Sequence, residues 1–153
     1  MDLAEFLRNE AEKKGYQKGD FLENITFRID EELNETDTGV VYGFVVELDD
    51  EEVINLFEEA KKIGGNKQKE LIKVNPIIEN YYPLYWGKSL DSLGRINAHL
   101  KGHGGGNSNL RLKEYGALKN KNIIYARVYI KRNLDFEKYL AKTYPPLLKT
   151  RKV

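Results

Sequence analysis

The sequence contains no cysteine. That excludes a disulfide framework, a thiolate zinc site and a cysteine nucleophile. It contains only two histidines, His99 and His103, too few for a histidine-rich metal site. No apolar run approaches the roughly 20 residues of a membrane span. The opening stretch, MDLAEFLRNE, is acidic and amphipathic and lacks the apolar core of a signal peptide. A cytoplasmic location is the expectation. What is present is 153 residues, 41% hydrophobic and 32% charged, which fits one soluble globular domain.

Net charge is also nearly absent, at +1, but this conceals an asymmetry. Residues 1–60 carry 5 Lys/Arg and 18 Asp/Glu, a net of −13; residues 61–153 carry 20 and 6, a net of +14. If the halves are also separate in space, the basic one offers a surface for a polyanion such as nucleic acid. If they interleave, the charges cancel.

The pattern along the chain is mixed α and β. Leu3, Phe6, Leu7 and Ala11 recur at helical spacing, with Gly15 as a stop. Ile25, Phe27 and Ile29 alternate like a half-buried strand. Gly39–Leu48 is dense in β-branched and aromatic residues and predicts a strand. Asp49 and Asp50 can cap a following helix with Val53, Ile54, Phe57 and Ala60 inward. Leu71, Ile72 and Val74 suggest a short strand. YYPLYWG predicts a strand beginning at or after Pro83, and Ser89–Lys101 a helix with Leu90, Leu93, Ile96 and Leu100 as its buried stripe. GHGGGNSN, which holds His103, reads as a flexible linker. A short helix is expected within Asn109–Leu118, a strand at Asn122–Ile130, and a last helix with Phe136, Tyr139, Leu140 and Thr143 inward, stopped by Pro145 and Pro146.

Chemistry concentrates on the expected helix after Tyr85. Lys88, Ser92, Arg95 and His99 would project within about 60° of one another, away from the leucine stripe. A lysine, an arginine and a histidine on one face suit a phosphate: arginine supplies a bidentate fork, and histidine exchanges a proton near neutral pH. The same residues also describe a solvated basic face.

Tyr85-Trp86-Gly87 closes one strand, and Gly39-Val40-Val41-Tyr42 opens another. Arg95 stands ten residues after Tyr85, and His99 four after Arg95. This run, YWGKSLDSLGRINAHL, resembles the GIY-YIG endonuclease family, in which two such strands pair and a helix with arginine and histidine follows. The downstream strand NIIYARVYI and the segment LDFEKYLAKTYPP continue the likeness, with Glu137 in the place of the family's metal-binding glutamate. The resemblance covers roughly 38–150. It departs in the first motif, Gly-Val-Val-Tyr, in Trp86 where the family has isoleucine, and in a longer gap between the tyrosines. It departs again after the prolines, where Leu147, Leu148 and Lys149 stand and no asparagine appears.

The resemblance implies an α+β fold, a small central antiparallel sheet of about three strands flanked by helices. Residues 1–37 would form an N-terminal extension, and 38–150 the nuclease-like domain with an insertion at about 49–80. It implies a divalent-metal-dependent endonuclease hydrolysing phosphodiester bonds in DNA, double-stranded by preference, of restriction or phage type. Tyr42 would orient or deprotonate water, Tyr85 hydrogen-bond across the site, Arg95 clamp the phosphate, His99 relay a proton or bind phosphate, and Glu137 hold Mg²⁺ or Mn²⁺. Lys88, Ser92, Lys101 and Arg111 would bind nucleic acid, and a homodimer is one route to target choice. Two alternatives stay open. One is a catalytically inactive nucleic-acid-binding module of the same fold; the other is a protein-interaction domain whose acidic first 60 residues meet a basic partner. Tyr42 and Tyr85 also fit plain core positions, and Glu137 a surface pair with Lys138 or Lys142.

Overall fold

Val40–Glu47 (β2) is apolar on both sides, and it becomes a central strand with both faces covered. In this computed structural model, which describes residues 1–16, 25–29, 31, 40–64, 66, 68, 71–89, 111–130 and 133–149, β2 pairs antiparallel with Tyr81–Ser89 (β3) and with Ile123–Tyr129 (β4). The short strand Ile25–Phe27 (β1) adds to the far side of β4, giving the order β1-β4-β2-β3. The class is α+β, and the described sheet has four antiparallel strands, one more than the three main strands expected. The fourth forms because Phe27 packs against the core and Ile25 lies beside it.

The two faces of the sheet carry different cores. Val40, Tyr42, Phe44 and Val46 face Leu84, Tyr85 and Tyr125 under Asp50–Ile63 (α2), the segment 112–118, and Leu147 and Leu148. Val41, Val45, Trp86, Ile124, Ala126 and Val128 face Leu3–Lys13 (α1) and Asn133–Thr143 (α3). Residues from the expected N-terminal extension and from the expected insertion thus both fill core positions.

The helix ends follow their caps. Asp2 accepts from the Glu5 amide, and Gly15 follows α1 at φ +73°. Asp49 and Glu52 form a reciprocal capping box at α2, at 2.8 and 3.0 Å. The inward stripe of α2 is Val53, Leu56, Phe57 and Ala60, whereas Ile54 is 52% exposed. The i, i+3, i+4, i+7 set excludes position 54, which corrects the expected face. On α1 the buried set is Leu3, Ala4, Leu7, Glu10 and Ala11, and Phe6 stacks on Trp86 instead. Leu71–Lys73 is a 3₁₀ turn rather than a strand, and the described part of the expected short helix, residues 111–118, holds two 3₁₀ turns, Leu112–Glu114 and Gly116–Leu118.

β3 begins at Tyr81, before its proline. The Pro83 carbonyl points away from β2 and accepts from the Leu147 amide at 2.9 Å, so the missing N–H of Pro83 faces outward as well and costs the ladder nothing. Leu148 donates likewise to Leu84 at 3.0 Å. A bulge sits here: Phe44 pairs with Tyr85, Val45 with Pro83, and Leu84 is the extra residue. β3 also runs on through Lys88 and Ser89. Lys88 is therefore a strand residue, not the start of a helix, and the expected helix residues Ser92, Arg95 and His99 lie outside the described residues, as does Lys101.

Candidate active site

The antiparallel register places Tyr42 opposite Gly87 and Phe44 opposite Tyr85, so the two tyrosines are diagonal neighbours on one face. Their ring centroids are 6.2 Å apart, inclined by 47°. Tyr42 is fully buried and leans across to the edge strand. A Cβ built on Gly87 would sit 2.5 Å from Tyr42 Cζ, 2.6 Å from its hydroxyl oxygen and 2.8 Å from Tyr85 Cε2. Glycine at the end of the YWG run thus gives the Tyr42 ring its place. On the opposite face the relation is reversed, and a Cβ on Gly43 would lie 2.4 Å from Trp86 Cζ3. Each strand supplies a large ring to cover the other's glycine.

Glu137 is 6% exposed on α3. The apolar stripe of that helix, Phe136 and Leu140, packs on the face opposite the tyrosines. Trp86 Nε1 donates to the Tyr144 carbonyl at 2.9 Å and fixes the end of α3 against the edge strand. The two tyrosines and the apolar stripe of α3 thus lie on opposite faces of the sheet. Lys88 pairs with Val41, which places it on the α3 face. It is not the cation beside Tyr42.

Arg111 is committed to structure. Its guanidinium donates to the Ile63 carbonyl at the C-terminus of α2, and its Nε lies 3.3 Å from Glu114. The acidic helix α2 also meets the basic segment elsewhere. Glu52 pairs with Lys121, and Glu59 accepts from the Gly116 and Ala117 amides at 2.6 and 2.8 Å. Here the two charged halves interleave, contrary to a segregated charge distribution. An open cleft of about 540 Å³ between α2 and residues 116–121 is lined by both signs of charge.

No family model, curated protein or solved structure matches this chain. The site rests on its own geometry. Among the described residues, no group of three or more histidine, aspartate or glutamate side chains gathers as a metal cluster. A single buried carboxylate such as Glu137 still fits Mg²⁺, which keeps several waters and commonly takes only one or two carboxylates beside substrate phosphate. Among the described residues no helix is long and apolar enough to cross a membrane.

Two buried charged groups are not foreseen from the sequence. Arg127 lies directly opposite Tyr42 across β2 and β4, 7% exposed, its Cζ 5.8 Å from the Tyr125 ring. Its only signal in the sequence was one charge inside an otherwise apolar strand. Glu10, on the inner side of α1, accepts from the Tyr139 and Tyr144 hydroxyls at 2.7 Å each, with Lys13 at 3.4 Å. Burial alone would raise the Glu10 carboxyl, but these donors outweigh it and hold the group below the ordinary range. Burial first, and then the Glu10 carboxylate, push the Tyr139 hydroxyl up to about 12 and the Tyr144 hydroxyl higher still. Tyr115 is raised to about 12, mainly by burial.

Proposed function

We propose that the chain is a divalent-metal-dependent endonuclease of GIY-YIG type that hydrolyses phosphodiester bonds in double-stranded DNA, acting in the cytoplasm. The observation that supports this most is the pairing of the GVVY and YWG strands. They are hydrogen-bonded neighbours, and Tyr42 and Tyr85 stand side by side at their junction. Gly87 leaves the Tyr42 ring and its hydroxyl their place at that junction.

Hydrolysis needs an oriented water, a clamp on the phosphate and relief of charge on the leaving oxygen. In this reading the Tyr42 hydroxyl, aimed over Gly87, orients the water or takes its proton. Tyr85 holds the opposite side of the phosphate by a hydrogen bond. Arg95 clamps the phosphate, and His99 moves a proton. Glu137 is the residue that would hold Mg²⁺ or Mn²⁺, and the cation, when bound, neutralises charge developing on the phosphate and the leaving oxygen. A catalytically inactive nucleic-acid-binding module is the second reading. It draws on the complete burial of Tyr42 and on the packing of α3 against the other face.

The test is supercoiled plasmid with Mg²⁺ or Mn²⁺ against an EDTA control. Cleavage is expected only with metal. Glu137→Ala should reduce cleavage by about 100-fold or more while leaving duplex binding in EDTA nearly intact, because the metal acts on charge that develops in the transition state. A wild type that binds DNA but cuts none under either metal replaces this reading with the inactive module. A folded Glu137→Ala that cuts at the wild-type rate removes Glu137 from the site.

A further inference from the structure

We propose that Gln68 and Asn66 are positioning residues that hold Tyr85 beside Tyr42, acting through the segment 146–149 on the bulge of β3. This rests on the endonuclease reading and extends the support of its site to residues that follow α2. The bulge decides what the tyrosine face contains. Val45 pairs with Pro83 and Phe44 with Tyr85, so Leu84 is extra. Leu84 and Tyr85 are adjacent in sequence, yet both lie in the tyrosine-side core, and Trp86 lies in the other. Counted on from the Val45–Pro83 pair without an extra residue, Tyr85 would meet Gly43 on the α3 face. Trp86, rather than Gly87, would then stand opposite Tyr42. The two tyrosines are neighbours only in the bulged register.

A bulge leaves its extra residue outside the ladder, so backbone groups there need partners elsewhere. The segment after α3 supplies them. The Leu147 amide donates to the Pro83 carbonyl at 2.9 Å, and the Leu148 amide to the Leu84 carbonyl at 3.0 Å. That segment is itself fastened on both sides of the two leucines. The Gln68 side-chain amide donates to the Pro146 carbonyl at 2.8 Å. The Asn66 side-chain oxygen accepts from the Lys149 amide at 2.9 Å and from the Gln68 amide at 3.0 Å. Gln68 is 6% exposed, so removing its donor would leave the buried Pro146 carbonyl without that bond. Packing of Leu147 and Leu148 draws the segment to the sheet, but apolar burial has no direction. The directional bonds at 146 and 149 fix which amide meets which carbonyl of the bulge.

The test compares Gln68→Met, which keeps the side chain's length without its amide, with Asn66→Ala, which removes the acceptor, and Asn66→Asp, which keeps it. Gly15→Ala is the control for lost stability alone. Nuclear Overhauser contacts between the Tyr42 and Tyr85 rings are read in the folded proteins, plasmid cleavage is measured in Mg²⁺, and each urea midpoint is recorded. In Gln68→Met and Asn66→Ala the ring contacts should weaken. Their kcat should fall about 10-fold or more, with KM within about two-fold of wild type, because a misplaced group costs the transition state more than binding. Asn66→Asp should restore both, and Gly15→Ala should lower the midpoint without either change. Folded Gln68→Met and Asn66→Ala variants with wild-type ring contacts overturn the proposal and leave 146–149 as packing only. If Gln68→Met does not fold, equal ring contacts in Asn66→Ala and Asn66→Asp overturn it. Contacts that weaken while kcat holds keep the positioning and remove Tyr85 from the reaction. If the wild type cuts no DNA, the endonuclease reading fails, and the ring contacts alone decide this one.

Discussion

Gly87 and Gly43 show what a single hydrogen in place of a methyl group does in this sheet. Each is met by a ring from the neighbouring strand, closer than any real Cβ could tolerate, and both rings are packed among buried neighbours. Gly87→Ala must therefore displace Tyr42 or the strand itself. A cost of about 1–3 kcal/mol is expected from overpacking, measured as a lower urea midpoint. Cleavage should fall further than stability explains, because the displaced group is the Tyr42 hydroxyl. Gly15 offers a control: space is open around it, and only its φ of +73° opposes a side chain, so Gly15→Ala should cost roughly 1 kcal/mol and leave cleavage unchanged. The glycine of the YWG run is visible in the sequence as the close of a strand. Its real task is not, because the residue it accommodates stands 45 positions earlier and only the strand register brings the two together. Arg127 was hidden for the same reason. One arginine in a strand carries no information about what stands opposite it.

The elements whose ends are written in local chemistry were the legible ones. Asp49 with Glu52, Gly15, and the Pro145-Pro146 stop each act within a few residues of where they stand. Elements joined through side chains were not legible, and the junction of α1 with α3 is the main case. There Glu10 looks like one more acid on an amphipathic helix, yet it is buried and meets two tyrosine hydroxyls from the far end of the chain. Its folded pKa is lowered, so its contribution is fully present above the ordinary carboxylate range and is lost as pH falls through the folded value. Tyr139 is shifted the other way, to about 12 from an ordinary 10. Its contribution is present below pH 10 and is lost as pH rises through about 12. Stability should therefore hold between about pH 5 and 10 and decline on both sides. Glu10→Gln should flatten the acid limb in urea denaturation from pH 3 to 8. Glu10→Ala should cost roughly 1–3 kcal/mol at pH 7, since two half-buried hydroxyls lose their acceptor. An acid limb unchanged in Glu10→Gln would place that sensitivity in other carboxylates.

At the scale of the whole molecule, the acidic and basic stretches of the sequence are not separate bodies. Helix α2, from the acidic half, is tied to residues 111–121 of the basic half through Arg111, Lys121 and Glu59. The segment after α3 crosses the edge of β3 and inserts Leu147 and Leu148 into the tyrosine-side core, so the two faces are linked by one continuous chain. The α+β class could be read from alternating periodicities, but this interleaving could not, since charge counts along a sequence carry no distances. The same logic governs residues 1–16. Read beside a motif that begins near residue 38, they look like an appendage. In the fold they cover the α3 side of the sheet: Leu3, Leu7 and Ala11 are fully buried, Phe6 lies against Trp86 and Tyr144, and Glu10 holds Tyr139 and Tyr144. At roughly 1.5–3 kcal/mol for each large apolar side chain buried, Leu3 and Leu7 with half-buried Phe6 amount to several kcal/mol, comparable with the whole stability of an ordinary domain. Deletion of 1–16 is therefore expected to abolish cooperative urea unfolding and expose Trp86 to solvent, seen as a red-shifted emission of this single tryptophan. Leu7→Ala should act in the same direction by about 2–5 kcal/mol while keeping a two-state transition. A truncated chain that unfolds cooperatively at the wild-type midpoint would make α1 an appendage after all. Loss of cleavage in the deletion would then have to be assigned to DNA contact rather than to the fold.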